Sequence, residues 1–328
     1  MIAVTGATGL LGSFIVRKLV SSHEAVIAIK RRESDVSLLQ DIKGVTIIDA
    51  DILDPVSLHD AFKNVTTVIH SAALVSFNPR AKKKLYEHNV LGTRNVVNAC
   101  LNSGNVKRLI HISSVAAVGR QKDVVELDER QKWVKNNQTS NYAESKYLAE
   151  LEVMRAHEEG LSTVIVNPSL ILSPGNWNRS SARLFKYVWD ERPFYADGLM
   201  NYVDVRDSAD VVHKLLHSSV NGERFILSAG TIGYHELFTK IARHFHKKPP
   251  TIKVNKRFVR LLTFFENIRS RLLGSDPLIT RETANSTGSR ILFVNNKVKN
   301  TLNFEFTPLD NTLQWCCEYY LKQVNGKK

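Results

Sequence analysis

Tyr142 and Lys146 are the residues whose types and spacing point most directly to chemistry. They lie four positions apart in a segment rich in helix-forming residues, so their side chains share one helix face. A phenol with an ordinary pKa of about 10 is a weak acid at neutral pH, but a nearby ammonium stabilises the phenolate. Such a pair can exchange a proton with a substrate oxygen. The spacing alone is common, and a solvent-exposed helical pair is the competing interpretation.

A serine at the end of a predicted strand adds a second polar group. The sequence His111-Ile112-Ser113-Ser114 closes an apolar run, and a hydroxyl placed there can donate to a carbonyl oxygen beside the tyrosine. At the start of the tyrosine helix, Asn141 is predicted to be the cap and Glu144 its reciprocal partner.

A glycine-rich turn near the start of the chain suits a phosphate group. It runs Thr5-Gly6-Ala7-Thr8-Gly9-Leu10-Leu11-Gly12 between a short apolar run and a helical pattern. Glycines let the backbone turn tightly and approach a ligand, while the free N–H groups and the dipole of a helix start favour negative charge. A dinucleotide pyrophosphate fits there. The spacing differs from the commoner Gly-x-Gly-x-x-Gly, and a purely structural turn explains it equally well.

The elements that must position these residues alternate between short apolar runs and helical patterns. Predicted strands cover 25–29, 45–49, 67–70, 108–112 and 163–167, and predicted helices lie near 55–62, 81–102 and 142–159. This alternation predicts an α/β fold, a doubly wound parallel sheet (Rossmann fold) with helices on both faces. Ligands of such sheets bind at the carboxyl ends of the strands, where the residues above fall.

The second half of the chain has a looser pattern. We predict a Rossmann domain over residues 1–170 and mainly a smaller C-terminal substrate lobe over 171–328, with segments near 202–228 returning to the sheet. The basic amphipathic segment 256–273 either lies on a membrane or, as is commoner, packs its apolar face on the protein.

Composition limits the partners of this protein. The 328 residues include 45 basic and 32 acidic ones, a formal net charge of +13, which favours anionic partners such as a phosphorylated cofactor. A generally basic surface is the alternative. Neither a zinc-finger spacing nor a basic–aromatic module occurs, so no nucleic acid is expected. A strand predicted from residue 2 and the lack of a membrane-length apolar stretch favour a cytoplasmic protein. Its three cysteines show no metal or redox spacing.

The order of glycine turn, strand-end serine and Tyr-x-x-x-Lys helix resembles the extended short-chain dehydrogenase/reductase family over essentially the whole chain. The resemblance implies that Tyr142 is the acid/base and that Lys146 holds the nicotinamide ribose and lowers the tyrosine pKa. It implies that Ser114, rather than Ser113, orients the reacting oxygen, because Ser114 stands five residues before Gly119.

Further site residues follow from the same resemblance. Asn89 is implied as a catalytic-site residue on the helix beneath; an amide bonded to backbone is an alternative compatible with that role. Asp51 and Ile52 are implied to contact adenine, with an ordinary turn aspartate as the alternative, and Ser71-Ala72-Ala73 to run along the cofactor. The remaining implied cofactor contacts are Gly6, Thr8, Gly9, Leu10, Leu11, Gly12, Tyr142, Lys146, Asn167 and Pro168.

The predicted second strand decides the cofactor. It runs Ile27-Ala28-Ile29-Lys30-Arg31-Arg32 and meets no carboxylate before Glu33. An acidic residue here would bind the ribose 2′-hydroxyl of NAD, whereas a guanidinium suits the extra phosphate of NADP. We predict NADP rather than NAD, with Arg31 the leading contact and Arg32 or Lys30 assisting. A solvated basic turn is the alternative.

The resemblance also narrows the reaction. Dehydratases of the family follow the serine with acidic residues, but Val115-Ala116-Ala117 follows it here. The segments 164–169 and 201–207 are similar to the dihydroflavonol 4-reductase and 3β-hydroxysteroid dehydrogenase-like branch; Tyr202 and Arg206 are pocket or structural residues. The expected reaction is NADP-dependent interconversion of a carbonyl and a secondary alcohol on a small organic substrate. Alternatives are a nucleotide-sugar epimerase with tightly bound NAD(P) and a nonenzymatic NADP-binding regulator. A homodimer through the helices near 81–102 and 142–159 is expected.

Overall fold

The computed structural model describes residues 1–119, 125–136, 139–177, 181–254 and 290–325. The amphipathic segment 256–273 lies outside the described residues. The strands are β1 (Ile2–Thr5), β2 (Val26–Lys30), β3 (Val45–Asp49), β4 (Thr67–His70), β5 (Arg108–Ile112), β6 (Glu126–Leu127), β7 (Ser162–Pro168), β8 (Leu170–Leu172), β9 (Phe194–Ala196), β10 (Leu199–Asp204), β11 (Glu223–Leu227), β12 (Gly230–Gly233), β13 (Ile252–Val254) and β14 (Leu292–Phe293).

The helices alternate with these strands. They are α1 (Leu10–Ser21), α2 (Pro55–Ala61), α3 (Lys82–Leu85), α4 (Gly92–Asn102), α5 (Asn141–Glu158), α6 (Ala182–Trp189), α7 (Val205–Leu216), α8 (Tyr234–Phe245), α9 (Asn296–Leu302) and α10 (Leu309–Asn325). In the described part of the chain, no helix is long and apolar enough to cross a membrane.

A seven-stranded parallel sheet forms the centre of the fold, in the order β11-β7-β5-β4-β1-β2-β3. Its inner strands are apolar on both faces because helices cover both. One face packs on α1 and α7, and the other on α2, α4 and α5. The predicted doubly wound sheet is therefore confirmed, and the five predicted strands lie within one residue of their observed bounds.

The predicted helix over 81–102 is interrupted. The chain forms a 3-10 turn at Pro79–Ala81, then α3, a π-helical turn at Tyr86–Leu91 and α4. The π turn contains Asn89, whose carbonyl accepts a hydrogen bond from the Thr93 hydroxyl at 2.6 Å. Such turns frequently mark functional sites within helices.

A smaller sheet, in the order β12-β10-β8, lies outside the central one. Together with α6, α8 and α10 it encloses a separate apolar core rich in aromatic side chains, including Phe185, Phe245 and Tyr320. The chain leaves the small sheet through α7, adds β11 to the edge of the large sheet beside β7, and returns through β12.

Candidate active site

Four segments meet at one edge of the large sheet because their strands are parallel neighbours. The glycine turn follows β1, Ser71-Ala72-Ala73 follows β4, Ser113 and Ser114 follow β5, and Asn167-Pro168 ends β7. The structure thus brings together the residues that the sequence places at strand ends.

The glycine turn packs so closely that side chains would not fit. Gly6 has a φ of +68°, and a Cβ on it would lie 2.5 Å from the backbone nitrogen of Ala72. A Cβ on Gly12 would lie 2.1 Å from the carbonyl oxygen of Gly6. Gly9 is the N-cap of α1, and among the described residues no side chain caps this helix start. The open, electropositive turn fits a pyrophosphate group.

The other residues of the turn differ in what they offer. Thr8 is half-buried, whereas the Leu11 side chain is buried in the core, so only the Leu11 backbone is available to a ligand. Leu10 faces Gly175, where a Cβ would lie 3.7 Å from the Leu10 Cδ1. The amide of Gly175 donates to the Tyr320 hydroxyl at 3.1 Å. Sequence reasoning missed Tyr320, which fixes a loop against the glycine turn.

The basic residues after β2 have different environments. Lys30 Nζ lies 2.5 Å from Asp49 Oδ1, so its charge is already paired. Arg31 and Arg32 are exposed, and no carboxylate of the described residues pairs with either guanidinium. These two side chains are free to meet an anionic ligand.

Asp51 and Ile52 both have structural contacts as well. Asp51 Oδ1 accepts from the Leu53 amide at 2.9 Å, as expected of a turn aspartate. The Ile52 side chain packs on α4, where a Cβ on Gly92 would lie 2.6 Å from its Cδ1. Either residue still borders the sheet edge at which β3 ends.

Helix α5 begins one residue earlier than predicted. Its N-cap is Ser140, whose hydroxyl accepts from the Ala143 amide at 2.9 Å, and Glu144 pairs with Lys135 at 2.5 Å. The predicted cap of Asn141 with Glu144 is therefore wrong. Serine and asparagine are similarly good caps, and with Ser140 as the cap the reciprocal position falls on Ala143 and not on Glu144.

Tyr142 meets Ser114 at the mouth of the site. Burial raises the pKa of the Tyr142 phenol, and a hydrogen bond with the Ser114 side chain opposes that rise. The ring of Phe77 packs edge-on against Tyr142, with ring centroids 5.7 Å apart. A serine hydroxyl and a phenol that contact each other can share one substrate oxygen.

Lys146 is buried behind the tyrosine. Its ammonium donates to the carbonyl oxygen of Ile112 at 2.9 Å. Burial lowers the pKa of Lys146 to about 8, and the charge of Glu150 opposes this. The expected lowering of the Tyr142 pKa by Lys146 is not seen, because burial dominates and the ammonium is directed to the Ile112 carbonyl.

The two serines after β5 have separate environments. Ser113 is buried and its hydroxyl lowers the pKa of Glu150, whereas Ser114 borders Tyr142. Ser114 also caps the 3-10 turn Val115–Val118. Of the two, the geometry places Ser114 beside the reactive phenol.

Asn89 holds backbone in place. Its side chain accepts from the Leu74 amide at 2.7 Å and donates to the Leu74 carbonyl at 2.9 Å and to the Ser145 hydroxyl at 2.9 Å. It therefore links the segment after β4 to α5. The structure shows an amide bonded to backbone, which is compatible with the implied place of Asn89 beneath the site.

Glu150 is the main residue of this region that sequence reasoning missed. It is fully buried, and its Oε1 accepts from Asn167 Nδ2 at 2.6 Å; Asn167 Nδ2 also donates to the Ser114 carbonyl at 2.9 Å. Arg224 on β11 lies 3.6 Å from Glu150 Oε2. Its spacing, four residues after Lys146, places it on the same helix face and was the available clue.

Tyr202 and Arg206, expected as pocket or structural residues, both have structural contacts. Arg206 pairs with Asp204 at 2.6 Å and stacks over the Trp315 ring at 3.9 Å. The Tyr202 hydroxyl packs on Gly230, where a Cβ would lie 2.9 Å from it. Tyr202 therefore packs within the small sheet, and Arg206 joins α7 to α10. A groove of about 1290 Å³ lies along the outer side of α5 and is lined by residues such as Trp133 and Tyr147; neither Ser114 nor Tyr142 lines it.

Comparisons with known proteins agree with this arrangement. The model of the NAD dependent epimerase/dehydratase family matches residues 2–228. Cinnamoyl-CoA reductase 1 of Oryza sativa is 32% identical over 271 residues, covering 77% of this chain and 78% of that protein. Sterol demethylase protein B of Methylococcus capsulatus is 30% identical over 229 residues, covering 69% of this chain and 68% of that protein.

A solved structure matches nearly the whole chain. The crystal structure of gox2253 superposes with a TM-score of 0.84 at 29% identity, covering 98% of each chain. The site also fits a dinucleotide, because side chains on Gly6 and Gly12 would fill the cradle beside α1. The chain belongs to the NAD dependent epimerase/dehydratase family, within the extended short-chain dehydrogenases/reductases, and is an NAD(P)-dependent enzyme.

Proposed function

We propose that this protein is an NADP-dependent oxidoreductase that interconverts a carbonyl and a secondary alcohol on a small organic substrate. The observation that carries the proposal is the contact between the Ser114 hydroxyl and the Tyr142 phenol at the carboxyl edge of the sheet. The similarity of this chain to a cinnamoyl-CoA reductase supports net reduction of the substrate.

Each residue has a defined task in this reaction. When bound, the nicotinamide supplies or accepts the hydride. Ser114 donates a hydrogen bond to the substrate carbonyl oxygen, and Tyr142 gives its proton to the same oxygen. Lys146 lies behind Tyr142 and would hold the cofactor ribose, while Asn89 keeps the segment after β4 against α5.

NADP is the proposed cofactor because of the side chains after β2. Arg31 and Arg32 are exposed and have no carboxylate partner among the described residues, whereas Lys30 is paired with Asp49. A guanidinium binds a phosphate through two parallel hydrogen bonds. The 2′-phosphate of NADP therefore has free partners here.

The cofactor proposal is tested by comparing the KM for NADPH with that for NADH. We expect a lower KM for NADPH than for NADH. Arg31→Ala should reduce this preference by at least about tenfold, because it removes at least one charge-assisted hydrogen bond to the 2′-phosphate. Arg243→Ala removes an exposed arginine of α8 in the lobe and is the matched control. A preference for NADH in the wild type refutes the proposal.

The reaction is tested by following NADPH consumption with aldehydes, ketones, flavanonols and steroid ketones. Tyr142→Phe is expected to lower turnover by at least about 100-fold, the usual contribution of a general acid, and to retain NADPH binding. Tyr319→Phe, which removes a distant hydroxyl, is the control. Unchanged turnover in Tyr142→Phe removes this tyrosine from the mechanism.

Epimerisation is the second candidate, because the family to which the chain belongs includes epimerases. The same Ser114 and Tyr142 would then remove and return a proton at one substrate oxygen, with no net redox change. Cofactor that stays bound through purification, together with conversion of a nucleotide sugar without NADPH consumption, would establish epimerisation in place of reduction.

A further inference from the structure

Three metal-ligating side chains meet outside the active site. His213 and His217 are four residues apart at the end of α7, and Glu24 lies in the turn between α1 and β2. Their ligand atoms all lie within 4.8 Å of one another. His217 Nε2 lies 3.0 Å from Glu24 Oε1, and the two imidazole rings are 4.9 Å apart.

This cluster lies at the opposite edge of the sheet from Tyr142. Glu24 lies two residues before the start of β2, so it stands at the amino ends of the strands. The end of α7 is held at the same edge by Arg108, the first residue of β5, whose guanidinium donates to the carbonyls of Leu215 and Val220, at 2.8 Å each. The cluster therefore has no part in the proposed hydride transfer.

The backbone that carries the three side chains is fixed. Residue His23 has a φ of +63°, which turns the chain sharply after α1, and the Glu24 amide donates to the Leu19 carbonyl at 3.0 Å. The four-residue spacing presents both imidazoles on one face of α7. Lys18, the neighbouring cation, is paired with Asp210 at 2.7 Å, so the Asp210 carboxylate offsets the repulsion between the lysine charge and a bound metal ion.

The donor set selects the class of metal. Two imidazole nitrogens and one carboxylate suit Zn²⁺, Cu²⁺ or Ni²⁺, whereas Mg²⁺ and Ca²⁺ prefer oxygen ligands. Zinc binds these atoms at about 2.0–2.2 Å, so the distances between the three ligand atoms must shorten by roughly 1 Å when it binds. Rotation of the half-exposed His217 side chain can provide this change.

We propose that Glu24, His213 and His217 form a surface binding site for a zinc-type divalent ion, with water in the open coordination position. The ion joins the turn after α1 to the end of α7. Because the unfolded chain lacks this geometry, binding stabilises the folded protein.

The test is titration of the tag-free full chain with Zn²⁺ by calorimetry, with thermal unfolding measured alongside. We expect one site per chain with a micromolar or lower Kd, a rise in Tm with Zn²⁺, and neither effect with Mg²⁺. His217→Ala and Glu24→Gln should each weaken binding by at least about tenfold, because loss of even an outer-shell partner of a metal costs that much. Both should also remove the Tm rise.

His59→Ala removes an exposed histidine of α2 and is the matched control. It should leave the affinity and the Tm rise intact. Circular dichroism shows that each variant is folded. A millimolar Kd in the wild type, or equal Zn²⁺ affinity in the wild type and in His217→Ala, overturns the proposal.

Discussion

Replacement of Gly12 by alanine tests the packing of the glycine turn. In an open helical position this change stabilises by about 0.5–1 kcal/mol. At Gly12 the added methyl would lie 2.1 Å from the oxygen and 2.8 Å from the carbon of the Gly6 carbonyl. Both are backbone atoms, and the Gly6 carbonyl is held by the Gly9 amide at 2.9 Å. Helix α1 must therefore move away by about 1 Å to restore an ordinary C···O contact of roughly 3.3 Å.

The magnitude follows from two opposing effects. Overpacking of this kind costs about 1–3 kcal/mol, which exceeds the gain in helix propensity. Because a contact of 2.1 Å with backbone belongs at the upper end of that range, we expect a net loss of about 2 kcal/mol in the free energy of unfolding and, for a chain of this length, a Tm lower by about 3 °C. Displacement of the turn should also weaken NADPH binding by at least about tenfold, the effect of one charge-assisted hydrogen bond.

Thermal unfolding by circular dichroism and NADPH titration by nucleotide fluorescence measure both effects. Gly233→Ala is the matched control, because no described atom lies within 4 Å of its Cβ position and its φ of −70° suits alanine; its stability should change by less than about 1 kcal/mol. Gly92→Ala should fall between the two, since the nearest atoms to its methyl belong to the Ile52 side chain, which can rotate, and not to backbone. Wild-type Tm and NADPH affinity in Gly12→Ala would refute the packing argument.

Three further predictions concern buried polar groups. Burial lowers the pKa of Lys146 from 10.5 to about 8, so the unfolded chain binds the proton more tightly and wild-type stability rises with pH through that window. Lys146→Met should be more stable than the wild type at pH 7, by on the order of 3 kcal/mol, and should lose this advantage by about pH 10 in urea unfolding. Burial holds the pKa of His111 well below 6.5, and its ring nitrogens have no hydrogen-bond partner among the described residues. His111→Leu should therefore flatten the acid side of a stability–pH curve, by about 1.4 kcal/mol per pH unit below pH 6. Tyr320→Phe removes the acceptor of the Gly175 amide and should raise the KM for NADPH about fivefold, with little change in kcat.

Each of these predictions has a result that contradicts it. A stability difference between Lys146→Met and the wild type that is constant from pH 7 to pH 10 would show that the lysine is charged throughout. An unchanged acid limb in His111→Leu would show that the imidazole takes up its proton without unfolding. A fall in kcat without a change in KM in Tyr320→Phe would show that the bond between Gly175 and Tyr320 does not support cofactor binding. Tyr319→Phe controls for loss of a neighbouring phenol.

The sequence predicts the central sheet well because buried parallel strands are continuous apolar runs. Thr67–His70 and Arg108–Ile112 are observed with their predicted bounds. The glycine turn was equally visible, since close backbone approach excludes other residue types. The sequence thus predicts the strand ends and the polar groups that follow them, from which the site is built.

The interactions that determine the finer geometry are long-range. The π turn at Tyr86–Leu91 keeps a helical apolar pattern, and it is distinguished only by the bonds of Asn89 to Leu74. A glutamate on a helix is ordinarily solvated, and the burial of Glu150 depends on Asn167 and Arg224 in distant strands. The local hydrophobic periodicity of the sequence therefore does not predict these contacts.

The path of the chain between its two sheets limits how the protein can be cut or recombined. A fragment ending at residue 170 would lose β11 and expose the hydrogen-bonding edge of β7. Exposed strand edges of this kind pair with other molecules and promote aggregation. Asp204 caps α7 and accepts from the Thr312 hydroxyl at 2.8 Å, so the carboxyl-terminal helix is joined to the same junction. A chimera that exchanges substrate specificity with a relative must therefore keep α7, β11 and α10 from one parent and exchange only the segments between them.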